Sequence, residues 1–353
     1  MKKFILSIIL FSNFCFAQIP LGYYNTAQGL TGNPLKIALH NIIDNHTQIS
    51  YNALWNAYQK TDKKANGKVW DMYSDIPSGT PPYQFTFVTD QCGNYFVEGD
   101  CYNREHSWPK SWFNFLSIPE SDLFHVYPTD GKVNGERSNY PFGDVGAATI
   151  TTQNGGKLGS CSNLGYNLTV FEPINEYKGD LARTYFYMST RYYSEDASWS
   201  TSDATNKSII LPWQMNVLLQ WHHQDPVSNK EIARNDSIYY KYQNNRNPFI
   251  DNPQWADSIW KIDTDVFVKE YELTNSFSVF PNPAKSSFQI INKQTNKSNF
   301  IIKITSITGA ILKEESVTFS ESMIIDCNQW LDGIYFLSIK SDQVISNLKF
   351  IKQ

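Results

Sequence analysis

The sequence predicts an α+β domain followed by a small antiparallel β-sandwich. Apolar residues recur at helical spacing over residues 33–60 and again between residues 180 and 242. Short aromatic or Gly- and Asn-rich segments, typical of strands and loops, lie between these helical regions. Beyond residue 275 the pattern changes to alternating β-branched and aromatic runs separated by Asn, Ser and Gly, as in a β-sandwich. A chain of 353 residues is long enough for two such units.

The first 17 residues have the composition of a signal peptide. Two lysines precede the apolar run FILSIILF, and Ala17 offers a small residue for cleavage. The run is too short to cross a bilayer comfortably, and no later segment approaches the required length. We therefore expect a secreted protein that is exported through the periplasm, with residues 1–17 removed.

The mixed α+β domain is expected over residues 18–262, a linker over residues 263–275 and the β-sandwich over residues 276–353. Asp180, directly after Gly179, is expected to cap a helix, and the sequence HHQDP to end another. Beyond the first helical region, helices are predicted over residues 180–193, 213–221 and 231–242. Alternating or turn-rich composition predicts strands over residues 83–88 and 94–97, and loops or short strands over residues 140–170.

Removal of the signal peptide leaves four cysteines in a compartment that permits disulfides: Cys92, Cys101, Cys161 and Cys327. Cys92 and Cys101 are nine residues apart, a separation that suits a disulfide across a hairpin. Four cysteines allow three pairings, so Cys161 could pair with either. A zinc site is the competing interpretation, but no CxxC spacing supports it.

The net charge of −4 is unevenly distributed along the chain. Residues 276–353 carry 8 Lys and 6 acidic residues, and residues 1–17 carry 2 Lys and no acid, which leaves 20 basic and 28 acidic residues between them. This acidic balance is unfavourable for binding a polyanion, because phosphate contacts usually need a basic surface. Any nucleic-acid site in the central domain would therefore need a bound cation and a local cluster of basic residues.

One segment of this domain, CYNREHSWPKSWF at residues 101–113, combines an acid, an imidazole and several bases. Glu105 can bind a hard cation through oxygen, and His106 titrates near neutral pH and so can accept a proton from water. Arg104 and Lys110 could hold a phosphate. Successive strand residues point to opposite faces, so Glu105 and His106 can serve one site only from a strand end or a bulge.

A second segment, DGKVNGERSN at residues 130–139, offers another oxygen ligand. The amide carbonyl of Asn134 is a neutral donor for a metal, and Gly135 beside it is expected to permit an unusual backbone turn. Arg137 could hold a phosphate or support the other site residues.

Four segments together, NREHSWPKSWF, KVNGERSN, GDLARTYFYM and NRNPFID, resemble the endonuclease I family of secreted bacterial nucleases. That family belongs to the ββα-metal, or His-Me finger, nucleases. The resemblance covers roughly residues 20–260, and REHxWP followed about thirty residues later by VNGxRSN is its most specific part. It implies that the α+β domain contains a ββα-metal finger.

The resemblance implies roles for three residues. His106 matches the general base that activates the attacking water, while Glu105 and Asn134 match the two protein ligands of a single Mg²⁺. The metal would stabilise charge on the phosphate and on the departing 3′ oxygen, and the products would carry 5′ phosphates. The implied substrates are DNA and, as a further candidate, RNA, and the chain is expected to act as a monomer.

The residue that would hold the scissile phosphate is not identified by the resemblance. Some members of the family place an arginine between the two motifs, but residues 114–130 of this chain contain no Arg or Lys. Arg104, Lys110, Arg137 or Arg183 could supply the charge, or the metal could carry more of it.

The site residues also have structural interpretations. His106 could be a packed histidine, Glu105 half of a salt bridge and Asn134 a turn residue, since Asn-Gly is a common turn pair. His222 and His223 suggest a second metal site, but a packed helix end explains them more simply.

The last 78 residues resemble the type A sorting domain of the type IX secretion system. The resemblance depends on FPNPA at residues 280–284, GIY at residues 333–335 and the late Lys349 and Lys352. It implies recognition by the type IX secretion machinery, passage across the outer membrane and removal of the tail. A carbohydrate-binding or adhesive sandwich is the alternative, because a sandwich fold does not specify a function.

The residues and the two resemblances together predict a secreted, Mg²⁺-dependent, non-specific endonuclease that hydrolyses phosphodiester bonds of DNA. The main alternative is a cell-surface binding or adhesion protein whose aromatic-rich domain holds polysaccharide or peptide. A hydrolase of another phosphodiester is a third interpretation.

Overall fold

The computed structural model describes residues 19–260, 277–293, 298–307, 310–340 and 345–353. The predicted signal peptide and linker lie outside the described residues. The chain divides into two compact units, Met1–Lys261 and Ile262–Gln353. The first combines helices with short antiparallel sheets and the second consists of antiparallel strands, which confirms the predicted fold class. Within the described ranges, none of the helices combines the length and apolar character that a membrane span requires.

The first unit contains most of the helices described in the chain. In chain order they are α1 (Gly32–Ile43), α2 (Leu54–Thr61), α3 (Ser117–Glu120), α4 (Gly131–Arg137), α5 (Lys178–Arg191), α6 (Pro212–Gln224), α7 (Asn229–Ile238), α8 (Pro248–Asp251) and α9 (Gln254–Trp260). Its strands are β1 (Tyr102–His106), β2 (Val126–Asp130), β3 (Val145–Thr151), β4 (Lys157–Cys161), β5 (Thr169–Glu172), β6 (Thr205–Asn206) and β7 (Ile209–Ile210). They form the antiparallel sheets β1-β2, β3-β4-β5 and β6-β7. The three-stranded sheet confirms the short strands expected over residues 140–170.

Helix α5 is the central helix of this unit, and every one of its residues is buried. It begins at Lys178, so the prediction that Asp180 caps it is wrong. A 3₁₀ turn over Asn175–Tyr177 leads directly into the helix and places Asp180 in its first turn. A β-carbon on Gly179 would collide with the backbone carbonyl of Asp225, so glycine is needed for this close approach of the chain that follows α6.

Helices α6 and α7 differ from their predicted limits at the ends. Helix α6 continues through both histidines to Gln224, so the sequence HHQDP ends it later than expected. Helix α7 begins two residues earlier than predicted because Ser228 and Glu231 form a capping box there. A π-helical turn over Tyr239–Gln243 then continues the helical path.

The strands predicted over residues 83–88 and 94–97 are absent from the structure, where both segments are irregular. The alternating aromatic residues of the first segment pack instead: the rings of Phe85 and Phe87 lie 5.8 and 6.3 Å from that of Tyr102. In the second segment, the side chain of Asp100 accepts the backbone N–H groups of Phe96 and Val97. Side-chain packing and a turn therefore replace the expected strand pairing.

The second unit is an antiparallel β-sandwich, as predicted. Its strands are β8 (Phe277–Phe280), β9 (Ser287–Asn292), β10 (Ser298–Ser306), β11 (Ile311–Phe319), β12 (Ser322–Asp326), β13 (Gly333–Lys340) and β14 (Ile345–Lys352). They form one sheet in the order β11-β10-β13-β14 and another in the order β12-β9-β8. Alternate residues of both sheets, among them Ile302, Leu337 and Ile290, meet in one buried core.

A candidate active site at the end of strand β1

The two sequence segments that carry the candidate chemistry form a ββα unit. Strand β1 pairs antiparallel with β2, with Tyr102 opposite Asp130 and His106 opposite Val126. Strand β2 runs directly into α4, whose N-terminus is capped by Asp130 through a 2.8 Å bond from the backbone N–H of Val133. The ββα arrangement implied by the family resemblance is therefore present.

Glu105 and His106 are the last two residues of β1, at the predicted strand end. Alternation along the strand directs Asn103 and Glu105 toward α4, where each bonds a side chain of that helix. It directs Arg104 and His106 toward Tyr51, whose ring contacts both of their side chains. The site is thus assembled from both faces of one strand where that strand ends.

The side chains meet in a cleft of about 360 Å³. Five of the seven residues predicted from sequence line it: Arg104, Glu105, His106, Lys110 and Asn134. Arg137 and Arg183 do not line it.

The carboxylate of Glu105 is buried and held by two donors. Its Oε1 accepts the hydroxyl of Tyr73 at 2.8 Å and a guanidinium N–H of Arg137 at 3.0 Å. Burial raises the pKa of Glu105 above its ordinary value, although Arg137 and Tyr73 act to lower it. An additional cation at this carboxylate would favour its ionised form.

The imidazole of His106 is fixed in one tautomer. Its Nε2 lies 2.9 Å from the backbone carbonyl of Glu120, and a carbonyl oxygen can only accept, so Nε2 carries the proton. The pKa of His106 lies well below its ordinary value because the ring is buried, with smaller contributions from His125, Lys110 and Arg104. The ring is therefore neutral at pH 7, with its basic lone pair on Nδ1.

His125, which the sequence analysis did not single out, supports this arrangement. Its ring lies 5.5 Å from that of His106, and its own Nε2 donates to the carbonyl of Pro119. Burial lowers the pKa of His125 to about 4, so it too is neutral. The two histidines donate to consecutive carbonyls of α3, which orients both rings. The only sequence signal for His125 is its position inside the apolar segment LFHVY.

Asn134 lies within helix α4 and not in a turn, so the prediction of an unusual backbone turn at Gly135 is wrong. The amide Nδ2 of Asn134 donates to Oδ1 of Asn103 at 2.7 Å, which leaves the amide oxygen of Asn134 as an acceptor. Gly135 leaves room for a neighbouring side chain. Together with Gly131 it provides a flat helix face for the side chain of Tyr95, which a β-carbon at either glycine would meet.

Arg137 lies beneath the site with only 1% of its surface exposed. Besides Glu105, its guanidinium donates to the backbone carbonyls of His106 and Ser107 and covers the ring of Phe142. These contacts tie the end of β1 to α4. Arg137 therefore supports the other site residues, the second of the two roles considered from sequence.

Arg183 is fully buried on α5 and contacts a different group of residues. It donates to both carboxylate oxygens of Glu231 and to the backbone carbonyl of Asp225. Its contacts connect α5 to α7 and to the segment after α6.

Arg104 and Lys110 are the basic side chains that line the cleft. The guanidinium of Arg104 lies 3.5 Å from the ring centroid of Tyr51 and 4.6 Å from that of Trp55, which fixes its position by cation–π contact. The ammonium of Lys110 lies 3.3 Å from Glu120, with about a third of the side chain exposed.

The adjacent histidines of α6 serve separate partners. The Nε2 of His222 donates to the carbonyl of Pro253 at 3.1 Å, whereas His223 is exposed and pairs with Asp257 at 3.0 Å. Within the described ranges, no group of three or more His, Cys, Asp and Glu side chains comes together around these histidines or elsewhere. The simpler interpretation, a packed helix end, describes these contacts.

A disulfide joins Cys92 and Cys101, whose Cα atoms are 5.7 Å apart, which confirms that the chain contains a disulfide and selects one of the pairings left open by the sequence. It closes an irregular loop and not a hairpin, and Cys101 directly precedes β1. Cys161 and Cys327 are not disulfide-bonded.

Comparison with known proteins gives matches to most of the chain. Residues 31–254 match the sequence profile of Endonuclease I, and residues 278–353 match that of a secretion system C-terminal sorting domain. The chain is 37% identical over 246 residues to the extracellular ribonuclease of Bacillus subtilis (strain 168), covering 67% of this chain and 78% of that protein. It is 40% identical over 245 residues to the extracellular ribonuclease of Bacillus amyloliquefaciens, with the same coverage.

A more distant similarity is to a periplasmic deoxyribonuclease of Aeromonas hydrophila. That protein is 30% identical over 135 residues, which cover 37% of this chain and 48% of the relative. The match to the family profile spans more than half of the chain and includes both segments of the ββα unit. The chain therefore belongs to the endonuclease I family, as a secreted nuclease that carries a C-terminal secretion sorting domain.

Proposed function

We propose that this nuclease is a Mg²⁺-dependent endonuclease that cuts DNA and RNA, with His106 as general base and the metal held by Glu105 and Asn134. The observation that carries the proposal is the bond from Nε2 of His106 to the carbonyl of Glu120. It leaves a basic nitrogen in a cleft that a carboxylate and an amide oxygen also line. RNA is included because the relatives of 37 and 40% identity are named ribonucleases.

His106 is suited to remove a proton from water. A general base must be unprotonated at the working pH, and the low pKa of His106 satisfies this condition at pH 7. The rings of Tyr51, Phe113 and His125 surround the imidazole, with centroids 5.5 to 6.3 Å from its own. They fix its orientation, so that Nδ1 can face a water placed for attack on phosphorus.

Glu105 and Asn134 are suited to hold a hard divalent cation. Among the described residues, both hydrogen bonds to Glu105 end on Oε1, so Oε2 remains for a metal. Asn103 accepts a hydrogen bond from the amide nitrogen of Asn134, which likewise leaves the amide oxygen of Asn134 for a metal. Two protein oxygens leave most of an octahedral shell to water and phosphate, as is usual for Mg²⁺. Bound there, the ion would supply positive charge beside the phosphate and the departing 3′ oxygen.

Metal removal tests this function. We expect the purified full-length protein to nick supercoiled plasmid and to degrade single-stranded RNA with Mg²⁺, to lose both activities in excess EDTA, and to recover them when Mg²⁺ is restored. End-labelling by polynucleotide kinase should require prior phosphatase treatment, because the products carry 5′ phosphates. A folded protein that cuts neither substrate in Mg²⁺, or that cuts equally well in EDTA, would refute the proposal.

Arg104 is the best-placed residue to hold the scissile phosphate. It lines the cleft, where the rings of Tyr51 and Trp55 and a 2.9 Å bond to the Tyr51 carbonyl hold its guanidinium, whereas Arg137 and Arg183 are fully buried and do not line the cleft. We expect Arg104→Gln to lower kcat/KM on plasmid about 10- to 100-fold, since a hydrogen bond to a charged group contributes about 1.5–3 kcal/mol. The slope of log KM against log salt concentration should also fall by about one, which is the contribution of a single phosphate contact.

The control for this prediction is Lys157→Gln, which makes the same change in net charge on strand β4. Lys157 is about half exposed and does not line the cleft. The role of Arg104 is excluded if both variants give the same kcat/KM and the same salt slope.

A further inference from the structure

A second cleft of about 520 Å³ adjoins the candidate active site. The two clefts share Ser111, Ser138 and Asn139 as lining residues, so they lie side by side. The volume lies in the range of about 300–1,000 Å³ in which proteins bind small-molecule-sized groups. A substrate held at His106 can therefore extend into the second cleft.

Hydrogen bonds within the protein hold one wall of the second cleft in place. This wall is the segment 200–203, which precedes strand β6. The backbone N–H of Ser200 donates to the carbonyl of Trp112, and the Ser200 hydroxyl donates to Asn114. Ser202 bonds the backbone and the hydroxyl of Thr205. These bonds hold the segment in one conformation.

The chemical character of the second cleft differs from that of the first. Its lining contains no Lys or Arg, and its one charged side chain is the carboxylate of Asp203. The hydroxyl of Tyr166 donates to one oxygen of this carboxylate at 2.9 Å, and no donor in the described part of the chain bonds the other. Tyr140, 41% exposed, adds an aromatic surface. Such a lining offers phosphate no basic side chain, and the second oxygen of Asp203 can accept hydrogen bonds.

We propose that the second cleft binds the nucleoside next to the scissile phosphate and favours a nucleoside that presents hydrogen-bond donors to Asp203. This inference rests on the proposed nuclease function. Phosphate is held in the first cleft by Arg104 and Lys110, and the uncharged part of the neighbouring nucleotide enters the second cleft. There the base stacks on Tyr140, as bases of single strands commonly do on aromatic side chains.

Two parts of a nucleoside offer suitable donors. Guanine presents an imino N–H and an amino group side by side, which can bond one carboxylate, whereas thymine presents one imino N–H between two carbonyl oxygens. The 2′-hydroxyl of a ribonucleotide is the other donor. The base edge is accessible only in an unpaired strand, so the preference should be visible in single strands.

The test uses the full-length protein and single-stranded oligodeoxythymidylate with one position changed to deoxyguanosine, deoxyinosine or uridine. Cleavage of the phosphodiester bonds on both sides of that position is mapped. The kcat/KM for cleaving these bonds is compared with the kcat/KM for the same bonds in the unchanged strand. We expect about a tenfold increase beside deoxyguanosine and a smaller one beside deoxyinosine, which lacks the amino group. An increase beside uridine alone would assign the donor to the sugar. Equal cleavage beside all of them would overturn the inference.

For each changed strand, the ratio of its kcat/KM to that of the unchanged strand should fall close to one in Asp203→Asn, because an amide can no longer accept two donors. Glu176→Gln, at an exposed acid in the 3₁₀ turn before α5, is the matched control and should keep the wild-type ratios. Unchanged ratios in folded Asp203→Asn would also overturn the inference, and Asp203→Ser provides a second variant. Absence of any cleavage by the wild-type protein would refute the proposed function itself, which distinguishes the two failures.

Discussion

Replacing His106 with alanine is expected to lower the rate of plasmid nicking in saturating Mg²⁺ by about 10²–10⁴-fold, the usual contribution of a general base. The substitution removes the nitrogen proposed to take the proton from water, while Glu105 and Asn134 keep their bonds to Arg137 and Asn103. The loss should therefore appear in kcat, with little change in the Mg²⁺ concentration that gives half-maximal rate. Initial nicking rates across a Mg²⁺ titration measure both quantities.

His223→Ala is the matched control, because it removes an exposed histidine that pairs only with Asp257 among the described residues. It should nick plasmid at the wild-type rate. If His106→Ala retained nicking within a few-fold of wild type, or failed only because Mg²⁺ no longer bound, His106 would not be the base.

Replacing Arg137 with methionine is expected to destabilise the first unit by about 3–5 kcal/mol, the typical cost of removing one partner from a buried ion pair. The carboxylate of Glu105 would keep only Tyr73 as a side-chain donor and the carbonyl of Ser107 only Tyr185, while the carbonyl of His106 would lose the bond from Arg137. Nicking should fall as well, since Glu105 would lose the contact that orients it. Urea unfolding followed by tryptophan fluorescence measures the change, because nine of the ten tryptophans lie before residue 261.

The double variant Glu105→Gln with Arg137→Met separates charge from packing. If the buried charge causes the instability, the neutral pair should be more stable than Arg137→Met alone, while remaining inactive because Glu105 is a proposed metal ligand. Equal stability of the single and double variants would show that the guanidinium acts mainly through its backbone bonds and its contact with Phe142.

Much of the candidate site was predictable because the relevant information is local in sequence. Glu105 and His106 are adjacent, and alternation along a strand already required a strand end or a bulge there; β1 ends at His106. The β-sandwich was predictable for the same reason, since its alternation matches the faces of strands that are buried on one side. The strand predicted over residues 83–88 does not form, which shows the limit of this reasoning. Alternating aromatic residues can also pack around one ring, here that of Tyr102, without forming strand hydrogen bonds.

The sequence by itself determined the family, the two-unit organisation and the residue types that can bind a metal, accept a proton and hold phosphate. Only the tertiary structure decided which partners each residue has. The tautomer of His106 depends on the carbonyl of Glu120, and Arg137 contacts Glu105 and two backbone carbonyls. We propose the phosphate role for Arg104 because Tyr51, far away in sequence, holds it at the cleft. Protonation, burial and partner choice depend on groups brought together through space, and chain order does not encode these contacts residue by residue.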